Sequence, residues 1–401
     1  MRTDVTVIKR DNPAAELDAL LSEPLNAAFE RERNAFDEAS APLGERVVLY
    51  GAGRFGRRTL DCMRGIGLEP LAFADNNPDL DGKPLDGVPI YAASRAAVLY
   101  GKDATFLITV WNSSATDRMV HRIQQLKDLG CERVLPVGLL CWKHPEAFLP
   151  YYPLDLPHKV LTAANEVKAA LNLFADEASR SEFVAQVRFR LLLDYEAISL
   201  TYATDHFQQN LFDLGNEEVL IDCGAFDGDT IAAFVRLRGH LFSSIVAFEP
   251  DPLNWAKLEF RISTFPDDIK RKITPLPYAL GSSACMVQFN STGTDVAKIG
   301  QGSTSVKRLT LDQTLRDYTP TFIKFDIEGA EMDALMGARE VVARSRPVLA
   351  VSCYHEQSHL WDIPLQLASL CRDYHFFLRP QGVEGWDLLC YAIPVERLKI
   401  L

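Results

Sequence analysis

The chain has 401 residues, 47% of them hydrophobic and 24% charged, and a formal net charge of −12. Its length calls for two domains and its composition is that of a globular protein. A net acidic chain lacks the basic surface that nucleic acid requires, and no window approaches the ~18 apolar residues of a membrane-spanning helix.

The eight cysteines are scattered without a Cys-x-x-Cys pair and mostly sit inside apolar runs such as "LIDCGA" and "LLCYAI". Reduced buried thiols are expected. The N-terminus shows no apolar leader followed by a cleavage site, so a cytoplasmic location is expected.

In chain order, residues 1–45 form a helical segment in which "AAELDALL" and "LNAAFERERNAF" place apolar residues three and four apart. Residues 46–143 alternate strand and helix. "RVVLYGAG" is a strand and turn, "FGRRTLDCMRGIG" a helix, and "LEPLAFADNN", "ATFLITV" and "RVLPVG" are further strands. This predicts a Rossmann-like domain with a parallel sheet. Residues 144–205 are a Pro-rich linker followed by helices. "HPEAFLPYYPLDLPHK" continues neither helix nor central strand, and 160–200 read as one or two amphipathic helices with Phe183, Val187, Leu191 and Ile198 buried.

A second alternating series fills residues 206–401. Its strands are "EVLIDCG", "SIVAFEP", "ITPLPYALG", "FIKFDIEG" and "PVLAVSCY", and it closes in an antiparallel hairpin of "HFFLRP" and "DLLCYAI". The fold class is therefore α/β, with two doubly wound Rossmann-like domains.

Each domain carries a glycine loop. In the first, Gly51, Gly53 and Gly56 follow a strand and open a helix, and Asp75 comes about 20 residues later. Glycines make the tight turn, a helix N-terminus meets phosphate and an acid meets ribose, so the context suits a nucleotide. Only half of a dinucleotide fold is present. The stretch "ADNNPDLDGKPLDGVPIY" resembles small Rossmann-like domains that precede sugar-modifying transferases, which implies a nucleotide-sugar. The competing reading keeps the glycines for packing alone.

In the second loop, "VLIDCGAFDGDT", the strand leads into a turn at Gly224, and Gly228 lets backbone approach a ligand. Glu249 ends the next strand, placed to accept from ribose hydroxyls. The acids Asp222, Asp227 and Asp229 repel a pyrophosphate and suit a cationic ligand with a free amine, as S-adenosylmethionine is.

With "AFEPDP", "PYALGSS", "LTLDQTL", "FIKFDIEGAEMDALMGA" and "SCYHE…LWDIP" in the same order, residues 206–400 resemble the FkbM family of S-adenosylmethionine-dependent methyltransferases. The resemblance implies a class I methyltransferase fold with an antiparallel last strand. It implies that Asp222, Gly224, Ala225, Phe226, Asp227 and Gly228 hold the methionine end of the cofactor. Glu249 takes the ribose, Ala279 and Leu280 lie along the adenine, and Asp326 and Glu328 face the methyl group.

Methyl transfer to a hydroxyl needs a positioned acceptor and a home for its proton. Asp326 and His355 are the expected catalytic pair, with Glu328 in support. Asp333 is read as favouring a helix N-terminus and His359 as structural or solvent-facing. Asp326, Glu328 and Glu331 offer an oxygen-only alternative for magnesium, but no metal is expected.

The expected activity is O-methylation of a small-molecule acceptor: a sugar, a nucleotide-sugar or a polyketide-type product. No nucleic-acid partner is expected, and a homo-oligomer is compatible with the sequence. The rival readings are a nucleotide-dependent oxidoreductase working from the first loop and a non-catalytic ligand-binding protein.

Overall fold

A computed structural model describes residues 12–111, 114, 116–199, 206–300, 302–385 and 387–399. The N-terminal residues read above for a leader lie outside that set. The chain divides into two compact units, one of 1–165, 181–201 and 382–386, the other of 166–180, 202–381 and 387–401.

The first unit holds a six-stranded sheet in the order β3-β4-β2-β1-β5-β6. Its strands are β1 (Val47–Tyr50), β2 (Ala72–Asp75), β3 (Pro84–Leu85), β4 (Val88–Ala92), β5 (Thr105–Ile108) and β6 (Arg133–Pro136). All neighbours run parallel except the short β3 on β4. Every residue of β1 and β5 is buried, as strands covered on both faces must be, which is why "VVLY" and "TFLI" lack alternation. The helix Leu25–Ser40 buries Ala28, Glu32, Phe36 and Ser40, a stripe four residues apart.

Three helices, Pro157–Thr162, Ala164–Leu171 and Glu177–Leu192, stand where one or two were expected. Phe183, Val187, Leu191 and Ile198 are all buried.

The second unit is built on a seven-stranded sheet, β16-β17-β15-β14-β7-β8-β9. These are β7 (Val219–Cys223), β8 (Ser244–Phe248), β9 (Ile273–Leu276), β14 (Phe322–Phe325), β15 (Val348–Ser352), β16 (Tyr374–Pro380) and β17 (Leu388–Pro394). Strand β17 slots between β15 and β16 and is antiparallel to both, while the other pairs are parallel. The closing hairpin and its antiparallel last strand match the expectation.

One expectation needs correction. "ITPLPYALG" is not a single strand: β9 ends at Leu276, and β10 (Ala279–Leu280) joins a separate four-stranded sheet. That sheet, β10-β13-β11-β12, adds β11 (Cys285–Asn290), β12 (Lys298–Ile299) and β13 (Thr304–Leu309). The break falls at Pro277, which has no N–H to continue the ladder.

In the first unit the glycine turn packs on itself: a Cβ on Gly56 would lie 2.0 Å from the Gly51 carbonyl oxygen and 3.2 Å from the Phe73 ring. Gly56→Ala should therefore destabilise this unit by roughly 1–3 kcal/mol, the usual cost of overpacking. A denaturant melt followed by circular dichroism, in which Gly56→Ala unfolded with the wild type, would contradict that packing.

Candidate functional site

The site forms at the carboxyl ends of β7, β8 and β14. Asp222 and Lys324 are register partners on adjacent parallel strands, so their side chains leave the same face of the sheet. Both are buried, and Lys324 Nζ donates to Asp222 Oδ1 at 3.2 Å and to the Gly224 carbonyl at 3.1 Å. Asp326 Oδ2 lies 3.7 Å from the same ammonium. Burial pushes the Asp222 carboxyl up to about 6, with Lys324 opposing.

Just past the strands the two loops interlock. The Asp326 amide donates to the Cys223 carbonyl at 3.0 Å. Gly224 has φ +89°, and a Cβ there would sit 1.9 Å from the Asp326 carbonyl oxygen. Only glycine meets both conditions.

The 326–331 turn is held from inside by Glu331, which is fully buried. Its Oε1 accepts from the Ile327 amide at 2.8 Å and its Oε2 from the Gly329 amide at 3.1 Å. His355 Nδ1 lies 2.9 Å from Oε1 and His359 Nδ1 lies 3.5 Å from Oε2. The other His355 nitrogen lies 3.4 Å from both Asp326 Oδ1 and Glu328 Oε1.

Burial works against a charge on His355, but Glu331 and Glu328 outweigh it and hold its pKa well above the ordinary histidine value. The ring is an imidazolium near neutral pH. Burial likewise opposes the Asp326 anion, and the charges of Lys324 and then His355 outweigh it and hold the carboxyl low. Ser352 Oγ donates to Asp326 Oδ1 at 2.8 Å. Asp326, Glu331 and His355 bring potential metal-ligand atoms within 4.8 Å of one another, yet Glu331 already serves two amides and an imidazole, and His355 supplies the balancing charge.

Glu249 closes β8, its oxygens accepting from the Phe226 and Asp251 amides, each at 2.8 Å. Burial pushes this carboxyl up to about 7 against those two bonds. Asp251 shapes the opposite wall. It accepts from Ser291 Oγ at 2.6 Å and from the Thr292 and Gly293 amides at 3.0 and 2.9 Å, and Asn254 Nδ2 donates to the Thr294 carbonyl at 2.9 Å.

Between these elements lies a cleft of about 540 Å³, part of it open to solvent. Of the residues singled out from sequence, Gly224, Phe226, Glu249, Ala279, Leu280, Asp326 and Glu328 line it together. Asp222, Ala225, Asp227, Gly228 and His355 do not. Asp222 is turned onto Lys324, Ala225 is buried in the core, and Asp227 Oδ2 pairs with Arg261 at 2.8 Å, beneath which Gly228 packs. His355 is buried against Glu331.

Asp333 pairs with Arg308 at 2.9 Å, and His359 is buried rather than solvent-facing. The sequence reading missed Lys324, whose signal was a lysine inside the apolar run "FIKF", and the wall residues Phe289, Thr294, Asp295, Ala297 and Ile299. It also missed His206, which burial, followed by the Lys324 charge, pushes down to about 4.

In the first unit, Gly51 has φ +112° and Gly53 begins the helix Arg54–Gly65. Asp75 accepts from the Ala52 and Asn77 amides, each at 2.8 Å. Its carboxylate thus holds the loop in the manner of Glu249.

Residues 222–379 match the family model described as "Methyltransferase FkbM domain". Among solved structures, a methyltransferase FkbM from Methylobacillus flagellatus KT superposes with a TM-score of 0.76 at 23% identity, covering 95% of this chain and 98% of that one. The fold is shared along nearly the whole chain. Two local likenesses carry no weight for the fold. UDP-D-quinovosamine 4-dehydrogenase from Vibrio fischeri has a TM-score of 0.19 at 29% identity, over 23% of this chain and 77% of that one. SMU.1697c, a putative methyltransferase from Streptococcus mutans in complex with SAH, has a TM-score of 0.28 at 14% identity, over 47% and 92%. No curated protein matches the chain.

Glu331→Gln tests the inner scaffold. Removing one partner of a buried ion pair takes from His355 its nearest counter-charge and should cost about 3–5 kcal/mol. Chemical unfolding reads the loss, and an unmoved midpoint would deny Glu331 its place at the centre of the turn.

Proposed function

Because residues 222–379 belong to the FkbM methyltransferase domain family, we propose that the cleft binds S-adenosylmethionine and that the protein methylates a hydroxyl of a sugar or natural-product acceptor. The observation that carries this reading is the single cleft shared by Gly224, Glu249 and the pair Asp326 and Glu328. The residues fit the cofactor: Gly224 and Phe226 of the turn line the cleft, and Glu249 retains acceptor capacity beyond its two amide bonds, since each carboxylate oxygen has two lone pairs. Ala279 and Leu280 give an apolar strip on one wall. Bound there, S-adenosylmethionine supplies an electrophilic methyl on a cationic sulfur, which leaves as the neutral thioether when the acceptor oxygen takes the methyl.

The work left to the chain is orientation and proton removal. Asp326, kept ionised by its neighbours, accepts the acceptor hydroxyl's hydrogen bond and then its proton. A low-pKa carboxylate is a weak base, but a hydroxyl becomes strongly acidic as its oxygen gains a third bond, to the methyl carbon, and takes on positive charge in the transition state, so a weak base suffices. His355, already an imidazolium, has no lone pair to give. Of the expected catalytic pair, Asp326 therefore takes the proton, and His355 steadies Asp326 and Glu328 by charge. The charged side chains lining the cleft are Glu249, Asp295, Asp326 and Glu328. Four carboxylates disfavour an anionic acceptor such as a phosphate.

Thermal unfolding with ligands tests the proposal. S-adenosylmethionine or S-adenosylhomocysteine at about 100 times its dissociation constant should stabilise the fold by roughly 2.7 kcal/mol, and Glu249→Ala should lose the shift. A shift with NAD and none with either adenosyl ligand would favour the oxidoreductase reading.

The pH dependence has a definite sign. Glu249 has a folded pKa of about 7, above its unfolded value, so its contribution to stability is present at low pH and lost as pH rises through about 7. Ribose hydroxyls donate best to the anion. Affinity for S-adenosylhomocysteine should therefore rise about tenfold from pH 6 to pH 8 for a single proton lost near 7. Calorimetric titrations giving a flat profile would remove Glu249 from the ribose site.

A further inference from the structure

Lys324 is a charged side chain in a wholly buried strand, and its position is not explained by packing. Its hydrocarbon stem runs up the sheet beside β7, and its ammonium reaches the level where both loops leave the strands. There it touches three things at once: the Asp222 carboxylate at 3.2 Å, the Gly224 carbonyl at 3.1 Å and, at 3.7 Å, Asp326 Oδ2. The two loops so joined supply Gly224 and Asp326 to the cleft wall. Asp222 has a second oxygen, Oδ2, buried without a hydrogen-bond partner, so the pair is not a fully satisfied structural salt bridge. A buried ion pair of this kind is generally no more stabilising than an apolar replacement.

Resting on the methyl-transfer reading above, we infer that Lys324 is a positioning residue for the reaction: through its ammonium it fixes the orientation and the ionised state of Asp326 and the shape of the Gly224 turn. Asp222 is its anchor. The Asp222 carboxylate draws the ammonium to one side, so that Lys324 approaches Asp326 without capturing it in a close ion pair, and Asp326 keeps Oδ1 for Ser352 and the cleft. The groups facing Asp326 are Lys324 on β14, Asp222 on β7, Ser352 on β15, Tyr354 and His355 beyond β15, Asp387 just ahead of β17, Glu328 in its own turn, and His206 ahead of β7. Lys324 is the member of this set that contacts both loops, which distinguishes its role from that of a second counter-ion.

The test labels aspartate carboxyl carbons with carbon-13 in the full chain and follows the Asp326 resonance, assigned by its loss in Asp326→Asn, through a pH titration. Lys324→Met alone strands a buried Asp222 anion and puts folding at risk, so the decisive variant is Asp222→Asn/Lys324→Met, which removes both charges. In that folded double variant the Asp326 midpoint should rise by roughly 1–3 pH units, the effect of removing a neighbouring opposite charge, and S-adenosylhomocysteine should bind more weakly. Asp222→Asn, which keeps the ammonium, should leave the midpoint low. An unmoved Asp326 midpoint in the double variant would overturn the inference and leave Lys324 a structural partner of Asp222 only. A wild type that does not bind S-adenosylhomocysteine, with the midpoint still shifting, would instead sink the methyl-donor reading while upholding the action of Lys324 on Asp326.

Discussion

The close approach of Gly224 to the Asp326 carbonyl is the constraint on which the second unit's chemistry turns. With 1.9 Å between that oxygen and the place a Cβ would occupy, the turns after β7 and β14 share one volume. Neither can move without the other. The seven-stranded sheet sets the distance between those strands through ordinary ladder spacing, so the fold delivers the two turns to this contact before any side chain acts. Lys324 and Asp222 lie directly beneath it, and the cleft opens directly above.

Above that contact, carboxylates organise backbone as much as they offer charge. Glu331 holds the 326–331 turn, Asp251 the 291–293 turn, and Glu249 the Phe226 amide. Each collects donors that would otherwise be left without partners at strand ends. Two non-glycine residues with left-handed backbone, Phe226 at φ +48° and Glu328 at φ +56°, line the resulting cleft, as strained positions at functional sites commonly do. The first unit repeats the device with Asp75 on Ala52 and Asn77. The same solution at the end of a second strand appears twice in one chain.

Much of this was legible in the sequence wherever a short apolar strand ran straight into its turn. "VLIDCGAFDGDT", "AFEPDP" and "FIKFDIEGAE" each announced a strand end, and those turns do meet at the cleft. What escaped had physical reasons. The four-stranded sheet is made partly of two-residue strands, β10 and β12, too short for any periodicity, and its pairing is non-local. Asp222 was placed at the end of its strand and grouped by charge with the acids around the turn. The strand does run through Cys223, and there the Asp222 side chain is turned onto Lys324, a partner 102 positions away that no local pattern reveals. His355 is buried against Glu331, a residue 24 positions away whose burial no local pattern reveals.

The way the chain is apportioned between its units has an evolutionary consequence. Residues 382–386, from the connection between the last two strands, belong to the first unit, where Glu384 accepts from the Met119 amide at 2.7 Å and lies 3.9 Å from Arg118. Residues 166–180 are given the other way, and Ser179 Oγ accepts from the Leu378 amide at 2.9 Å. No single cut in the sequence parts the two units: a piece that keeps one of them whole also carries segments of the other. Recombination at one breakpoint therefore cannot pass on either unit alone.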